Sequence, residues 1–504
     1  MTLAQIRSGA LQGVDGIPVD VEVDIGSGLP AFNIVGLPDA AVQEARERVR
    51  SAIRNAGYEF PLRRITVNLA PADVRKEGPI YDLPIAVAIL LASGQIEDHL
   101  ADCALIGELS LDGRLRHVSG VLPFVAMCHS ERIASVVVPA EDVREARMVG
   151  SVRAFGLGSL AQLREPPSAW VEEELPAPEC PAETETYDLS IVRGQEHVKR
   201  ALEVAASGGH NLMMQGPPGS GKTLLARALP GLIAPLSPLE AIQVSKVYSI
   251  AGMLSRTQPL LRERPFRAPH HTISHAGLVG GGSLIRPGEV SLAHRGVLFL
   301  DEFPEFTGRA LEALREPLEA GVVTISRARG SVTFPARILL VAAMNPCPCG
   351  YYGDSRRTCS CSESTVSRYR HRVSGPLLDR FDLFMEVPRV EYDELAGEPT
   401  GEHSETIRAR VIEARTMQDE RLTASRAVTN AEMDPIDVRR FCQDRLEDDA
   451  RPLLASATER LGLSARSFHR VLKVSRTIAD LDRSEAIGTK HLAEAIQYRK
   501  RGAD

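Results

Sequence analysis

The sequence predicts an α/β protein with a helical C-terminal part, and three observations carry that expectation. Strand-like and helix-like stretches alternate over residues 1–164 and again over 187–390, with a Pro/Glu-rich break at 165–186 between them. A complete phosphate-binding loop stands between an apolar strand and a helix in the second block. From 391 to 504 the chain is strongly charged and its apolar residues fall at helical spacing. A chain of 504 residues with 43% hydrophobic and 25% charged residues is long and apolar enough to bury several cores, which excludes disorder as its main state.

In the first block, Val19, Val21, Val23 and Ile25 share one face of a half-exposed strand over 17–25. Residues 39–55 place Ala41, Ala45, Val49, Ala52 and Ile53 at helical spacing, with Arg46, Arg48, Arg50 and Arg54 read as a solvated face or as DNA contacts. Residues 64–69 read as a strand, 83–92 as an apolar helix, and 104–109 and 135–139 as further strands. The break that follows, EPPSAWVEEELPAPECPAETET, has lost apolar periodicity and reads as an extended linker.

In the second block, Gly216-Pro217-Pro218-Gly219-Ser220-Gly221-Lys222-Thr223 fits G-x-x-x-x-G-K-[ST], after the apolar strand 210–215 and before a helix over 224–229. Its backbone N–H groups and the helix N-terminus suit phosphate oxygens, Lys222 the β- and γ-phosphates, and Thr223 a Mg²⁺ ion, so ATP and Mg²⁺ are the expected cofactors. About 80 residues on, the buried strand 296–300 ends in Asp301 and Glu302, suited to hold Mg²⁺ and to polarise the attacking water respectively. A third strand, 337–344, ends at Asn345.

Before that third strand, the β-prone runs 322–326 and 331–334 flank Arg327-Ala328-Arg329-Gly330, a hairpin with two arginines at its tip. Residues 326–380 carry nine arginines against three acids, a local net of +6 in a chain of net −7. The overall balance announces no nucleic-acid protein; this cluster does, through salt-sensitive, sequence-independent backbone contact, unless it is a solvated face. Cys347-Pro-Cys349 and Cys359-Ser-Cys361 hold four of the eight cysteines within fifteen positions, which fits a four-thiolate Zn²⁺ site or a metal-free loop.

With these residues in hand, the chain resembles the magnesium-chelatase-type branch of AAA+ ATPases, through 264–272 (RPFRAPHHT) and 280–295 (GGGSLIRPGEVSLAHR). The whole layout is similar to the YifB/ComM family, linked to DNA branch migration in recombination and natural transformation. The resemblance implies an AAA+ core with an insertion in helix 2 near 265–290, a hairpin before the sensor-1 strand, a C-terminal helical lid and a homo-hexamer. It implies that Asn345 orients the hydrolytic water and that Arg380, in Gly375-Pro-Leu-Leu-Asp-Arg380, reaches a neighbour's γ-phosphate, the alternative being an ion pair with Asp379 or Asp382. Arg466 is the expected cis sensor-2 residue, with Arg470 the alternative.

Residues 76–86 and 107–120 resemble the Lon protease domain, of ribosomal S5 domain 2-like fold, but Ile80 and Leu122 stand where its Ser–Lys dyad belongs, so no protease is expected. The start of the chain carries no signal-peptide pattern, and the longest apolar run, 83–92, is about half a membrane span, so a cytoplasmic protein is expected. The reading is an ATP-dependent hexameric DNA translocase for branch migration; a protein-remodelling ATPase and the ATPase subunit of magnesium chelatase are the alternatives.

Overall fold

A computed structural model describes residues 3–100, 102–167, 170, 187–255, 258–282, 285–327, 330–354, 356–390 and 401–499. They form two compact units that cut across the linear order. One takes the described residues up to 182 together with 238–261 and 326–334, and the other takes the rest.

The first unit is built on a mixed seven-stranded sheet in the spatial order Ala31–Val35, Arg64–Ala70, Asp15–Gly26, Leu3–Gln12, Cys103–Leu105, Ser135–Pro139, Arg153–Leu157. The period-two strand is there as expected, with Val19, Val21, Val23 and Ile25 facing the core. Its partner Leu3–Gln12 pairs antiparallel, with Gln12 opposite Asp15 across the turn. The expected strand over 104–109 divides: Cys103–Leu105 joins the sheet, while Glu108–Leu109 pairs with Leu115–Arg116 in a separate ribbon.

The helix Ala40–Asn55 starts at Asp39, whose Oδ1 accepts from Val42 N at 2.8 Å, and buries Val42, Ala45, Val49, Ala52 and Ile53. Of its arginines, Arg48 turns inward and grips the buried Asp82 carboxylate through Nε (2.7 Å) and NH2 (3.1 Å). That charge is a structural pair rather than part of a solvated stripe. Leu122 lies fully buried in the helix Val121–Ser130, and Ile80 is partly buried in the short 3₁₀ turn Pro79–Tyr81, so neither Lon-type position carries a nucleophile or a base.

Two segments from the second sequence block fold with this unit. The helix Pro238–Ala251 packs on Val121–Ser130, and Ser249 donates its hydroxyl to the buried Glu145 carboxylate. Residues 326–334 of the hairpin belong here as well. The break between the blocks starts later than its composition indicates: Trp170 is buried, edge-on to Phe155, with its indole N–H shared by the carbonyls of Gln162 and Glu165.

The second unit holds a five-stranded sheet, parallel throughout, in the order Phe266–Arg267, Val297–Leu300, Leu339–Met344, Leu212–Gln215, Leu383–Glu386. Continuous apolar runs make its central strands buried on both faces, as parallel sheets require. Residues 266–267, expected inside a helix insertion, are its edge strand. The C-terminal helices Ser404–Leu422, Ala450–Arg460, Ala465–Leu481 and Thr489–Gln497 complete the unit. Among the described residues, no helix is long and apolar enough to cross a membrane.

Candidate nucleotide site and cysteine cluster

Strand register brings the chemistry together. Gln215 lies opposite Met344 and Leu300 opposite Ala342, so the residues that follow, Gly216, Asn345 and Asp301, emerge at the carboxyl edge of the sheet. That edge is where open parallel sheets bind their ligands. The loop reaches its helix, Lys222–Ala228, through Gly219 and Gly221, both at positive φ (77° and 89°), a region that side-chain-bearing residues avoid.

Thr223 Oγ1 donates to Asp301 Oδ2 at 2.8 Å. The Lys222 ammonium donates to the carbonyls of Gly216 and Pro217 at 2.8 Å each and lies 3.4 Å from Asn345 Oδ1. Burial pulls the Lys222 pKa down, opposed by the Asp301 charge. Glu302 adopts left-handed backbone (φ 52°, ψ 43°), a strained conformation typical of functional positions, and its carboxylate meets His271 Nδ1 at 3.0 Å. His271 in turn lies against His270, with ring centroids 4.1 Å apart and the rings tilted by 33°. Lys222, Thr223, Asp301, Glu302 and Asn345 therefore form one cluster.

The arginines go elsewhere. Arg380 is nearly buried and pairs with Glu319, not with Asp379 or Asp382, while its NH1 donates to Pro376 O at 2.7 Å. Arg466 lies 3.5 Å from the same Glu319, so one carboxylate gathers both arginines. Arg470 instead faces Asp382, at 3.5 Å. Sequence alone gave no role to Glu319 or His271: a glutamate on an ordinary charged helix carries no local signal, and His271 sits in a stretch that marks a family without marking a function.

The hairpin forms as expected, from Val322–Arg327 and Gly330–Pro335. Arg329 lies outside the described residues, and only the backbone of Arg327 lies within them.

The four cysteines converge. Cys347 Sγ lies 3.3 Å from Cys349 Sγ and 3.7 Å from Cys359 Sγ, Cys349 and Cys359 are 3.6 Å apart, and with Cys361 all four sulfurs fall within 4.8 Å of one another. A tetrahedral zinc with Zn–S of about 2.3 Å sets its sulfurs about 3.8 Å apart, so the set fits one ion. Backbone N–H groups of Tyr351 and Ser360 hold the Cys349 thiol down at about 5, whereas Cys359, despite the Cys361 N–H, is pushed up to about 12 by desolvation and the neighbouring sulfurs, and Cys361 is pushed up as well.

Fold and site define the class: a P-loop ATPase of the AAA+ type, which implies ATP and Mg²⁺. The family described as "Magnesium chelatase, subunit ChlI" matches residues 188–395, "Subunit ChlI of Mg-chelatase" 21–142, and "Magnesium chelatase, subunit ChlI C-terminal" 401–499. "Uncharacterized protein YifB" of Escherichia coli K12 is 45% identical over 99% of this chain and 97% of its own length. "Competence protein ComM" of Haemophilus influenzae is 44% identical over 99% and 98%. A distant similarity, 21% over 61% of this chain and 36% of the other, reaches "Maternal DNA replication licensing factor mcm6" of Xenopus tropicalis. The chain belongs to the YifB/ComM family of magnesium-chelatase-like AAA+ ATPases.

Proposed function

We propose that this ATPase is a hexameric DNA translocase that drives branch migration of recombination intermediates in the cytoplasm. The observation that supports it most is a juxtaposition along the chain. A nucleotide cluster ends at Asn345, and the strand leading to Asn345 follows directly on a hairpin whose first strand ends at Arg327, two positions before Arg329 in the sequence. The names of two relatives, a competence protein and a DNA replication licensing factor, favour the same reading.

In it, Lys222 and the loop amides hold the β- and γ-phosphates, and Thr223 and Asp301 hold Mg²⁺, whose charge screens the phosphate oxygens. Glu302 orients and polarises the attacking water with Asn345 beside it. Arg380 completes the site of a neighbouring subunit, and Arg466 acts as the sensor of the lid. Hydrolysis then shifts the hairpin along the DNA backbone, whose phosphates the basic cluster suits. Cys347, Cys349, Cys359 and Cys361 hold a structural Zn²⁺.

The test is ATP turnover with and without single-stranded and junction DNA. The parent is stimulated, Lys222→Ala is inactive, and Arg327→Ala with Arg329→Ala hydrolyses ATP at the basal rate without stimulation. Turnover indifferent to every DNA contradicts the proposal and points to a protein-remodelling ATPase. The descriptions of the matched families keep a chelatase subunit as the second reading, recognised by ATP-dependent metal insertion into a porphyrin with partner subunits.

A further inference from the structure

We propose that the four-cysteine site is part of the nucleotide site's framework, so that zinc occupancy sets the affinity for nucleotide. The inference rests on the reading of residues 216–223 as the phosphate loop. Three contacts join the cluster to that loop and to Asn345.

Cys347 stands two positions after Asn345, so an ion held by its sulfur fixes one end of the segment that carries the asparagine. The other end of the cluster feeds a helix: Ser362, next to Cys361, caps Glu363–Arg370 by accepting from Thr365 N. That helix returns to the same segment, where Arg370 Nε donates to Pro346 O at 3.4 Å. The asparagine whose Oδ1 lies 3.4 Å from Lys222 Nζ thus leads directly into chain that the cysteines tie down.

The third contact is direct. Gly350, inside the cluster loop at φ 86°, lies so close to the phosphate loop that a Cβ there would come 2.4 Å from Pro218 Cδ. Pro218 is a residue of that loop, followed directly by Gly219. In the same loop, the guanidinium groups of Arg357 (5.2 Å) and Arg389 (5.4 Å) both lie over the Tyr351 ring. Cation–π contacts of this kind, each worth about 0.5–1 kcal/mol when exposed, steady the outer rim but do not close the loop on itself. A metal does: one ion bound by all four sulfurs, which lie within 4.8 Å of one another, would tie both ends of the loop together.

The test uses the full-length protein and a fluorescent, non-hydrolysable ATP analogue in Mg²⁺. Elemental analysis is expected to give one zinc per chain. Stripping zinc with a selective chelator, which is then removed, weakens analogue binding by about tenfold or more, and added zinc restores it. Circular dichroism and melting run in parallel, showing whether the stripped protein stays folded. Gly350→Val serves as a second route, because it leaves all four cysteines in place and pushes the loop off Pro218. It should weaken analogue binding while the zinc content stays at one per chain.

A chain without bound zinc, or a folded zinc-free protein that binds the analogue as the loaded one does, overturns the inference. Should stripping unfold the chain, Gly350→Val decides: unchanged affinity overturns it, and weakened affinity with zinc retained supports it. Lys222→Ala is the separate control. If it binds the analogue as the parent does, the phosphate-loop reading itself is wrong.

Discussion

Glu302 combines a strained backbone, a carboxylate at the carboxyl edge of the sheet and a histidine partner. Glu302→Gln is expected to bind ATP with near-parental affinity and to lose hydrolysis by two orders of magnitude or more, about 3 kcal/mol of barrier, checked by single-turnover kinetics against analogue binding. Glu145 offers a test by pH. Burial raises its pKa, opposed by hydrogen bonds from Ser249 and Leu122 N, so the folded state favours the protonated acid. Its contribution is therefore greatest below the ordinary carboxyl range and is lost as pH rises through the raised value. Glu145→Gln keeps the acceptor oxygen without the charge, so its melting temperature should exceed the parent's at pH 8 and converge with it near pH 4. A constant difference across that range contradicts the assignment.

At the scale of elements, the phosphate loop, the Asp301–Glu302 strand and the Asn345 strand were legible because each couples a short apolar run to a chemically distinctive end. The strand Leu3–Gln12 was not, since its mixed sequence LAQIRSGALQ alternates weakly and its place is decided by pairing with Asp15–Gly26. Nor was the inward turn of Arg48 legible, because its partner Asp82 is 34 positions away in sequence. The C-terminal helix Ala465–Leu481 hides a similar long-range device: buried Asp480 accepts from Arg421 (2.7 Å), Arg476 (3.0 Å) and Asn430 (2.8 Å). Asp480→Ala strands two guanidinium groups and should cost about 3–5 kcal/mol in denaturant unfolding. For the hairpin, Arg327→Ala with Arg329→Ala should weaken DNA binding and reduce the slope of log K against log salt by about 2, roughly one for each phosphate no longer neutralised, with melting unchanged.

For the whole molecule, the sequence suggested consecutive blocks, whereas the helix Pro238–Ala251 and hairpin residues 326–334 group with the N-terminal unit. Blocks are read from composition along the chain; this grouping comes from contacts such as Ser249 with Glu145, which no local pattern announces. An N-terminal unit without a Lon-type dyad thus includes most of the hairpin assigned to DNA, which gives that unit a part in the proposed motor. The most direct test of the motor is resolution of a synthetic four-way DNA junction by the full-length protein, followed on a gel with ATP. The account predicts that the parent resolves the junction, that Lys222→Ala and the double arginine variant do not, and that a non-hydrolysable analogue does not replace ATP. A parent that hydrolyses ATP and binds the junction yet never moves it would contradict the account.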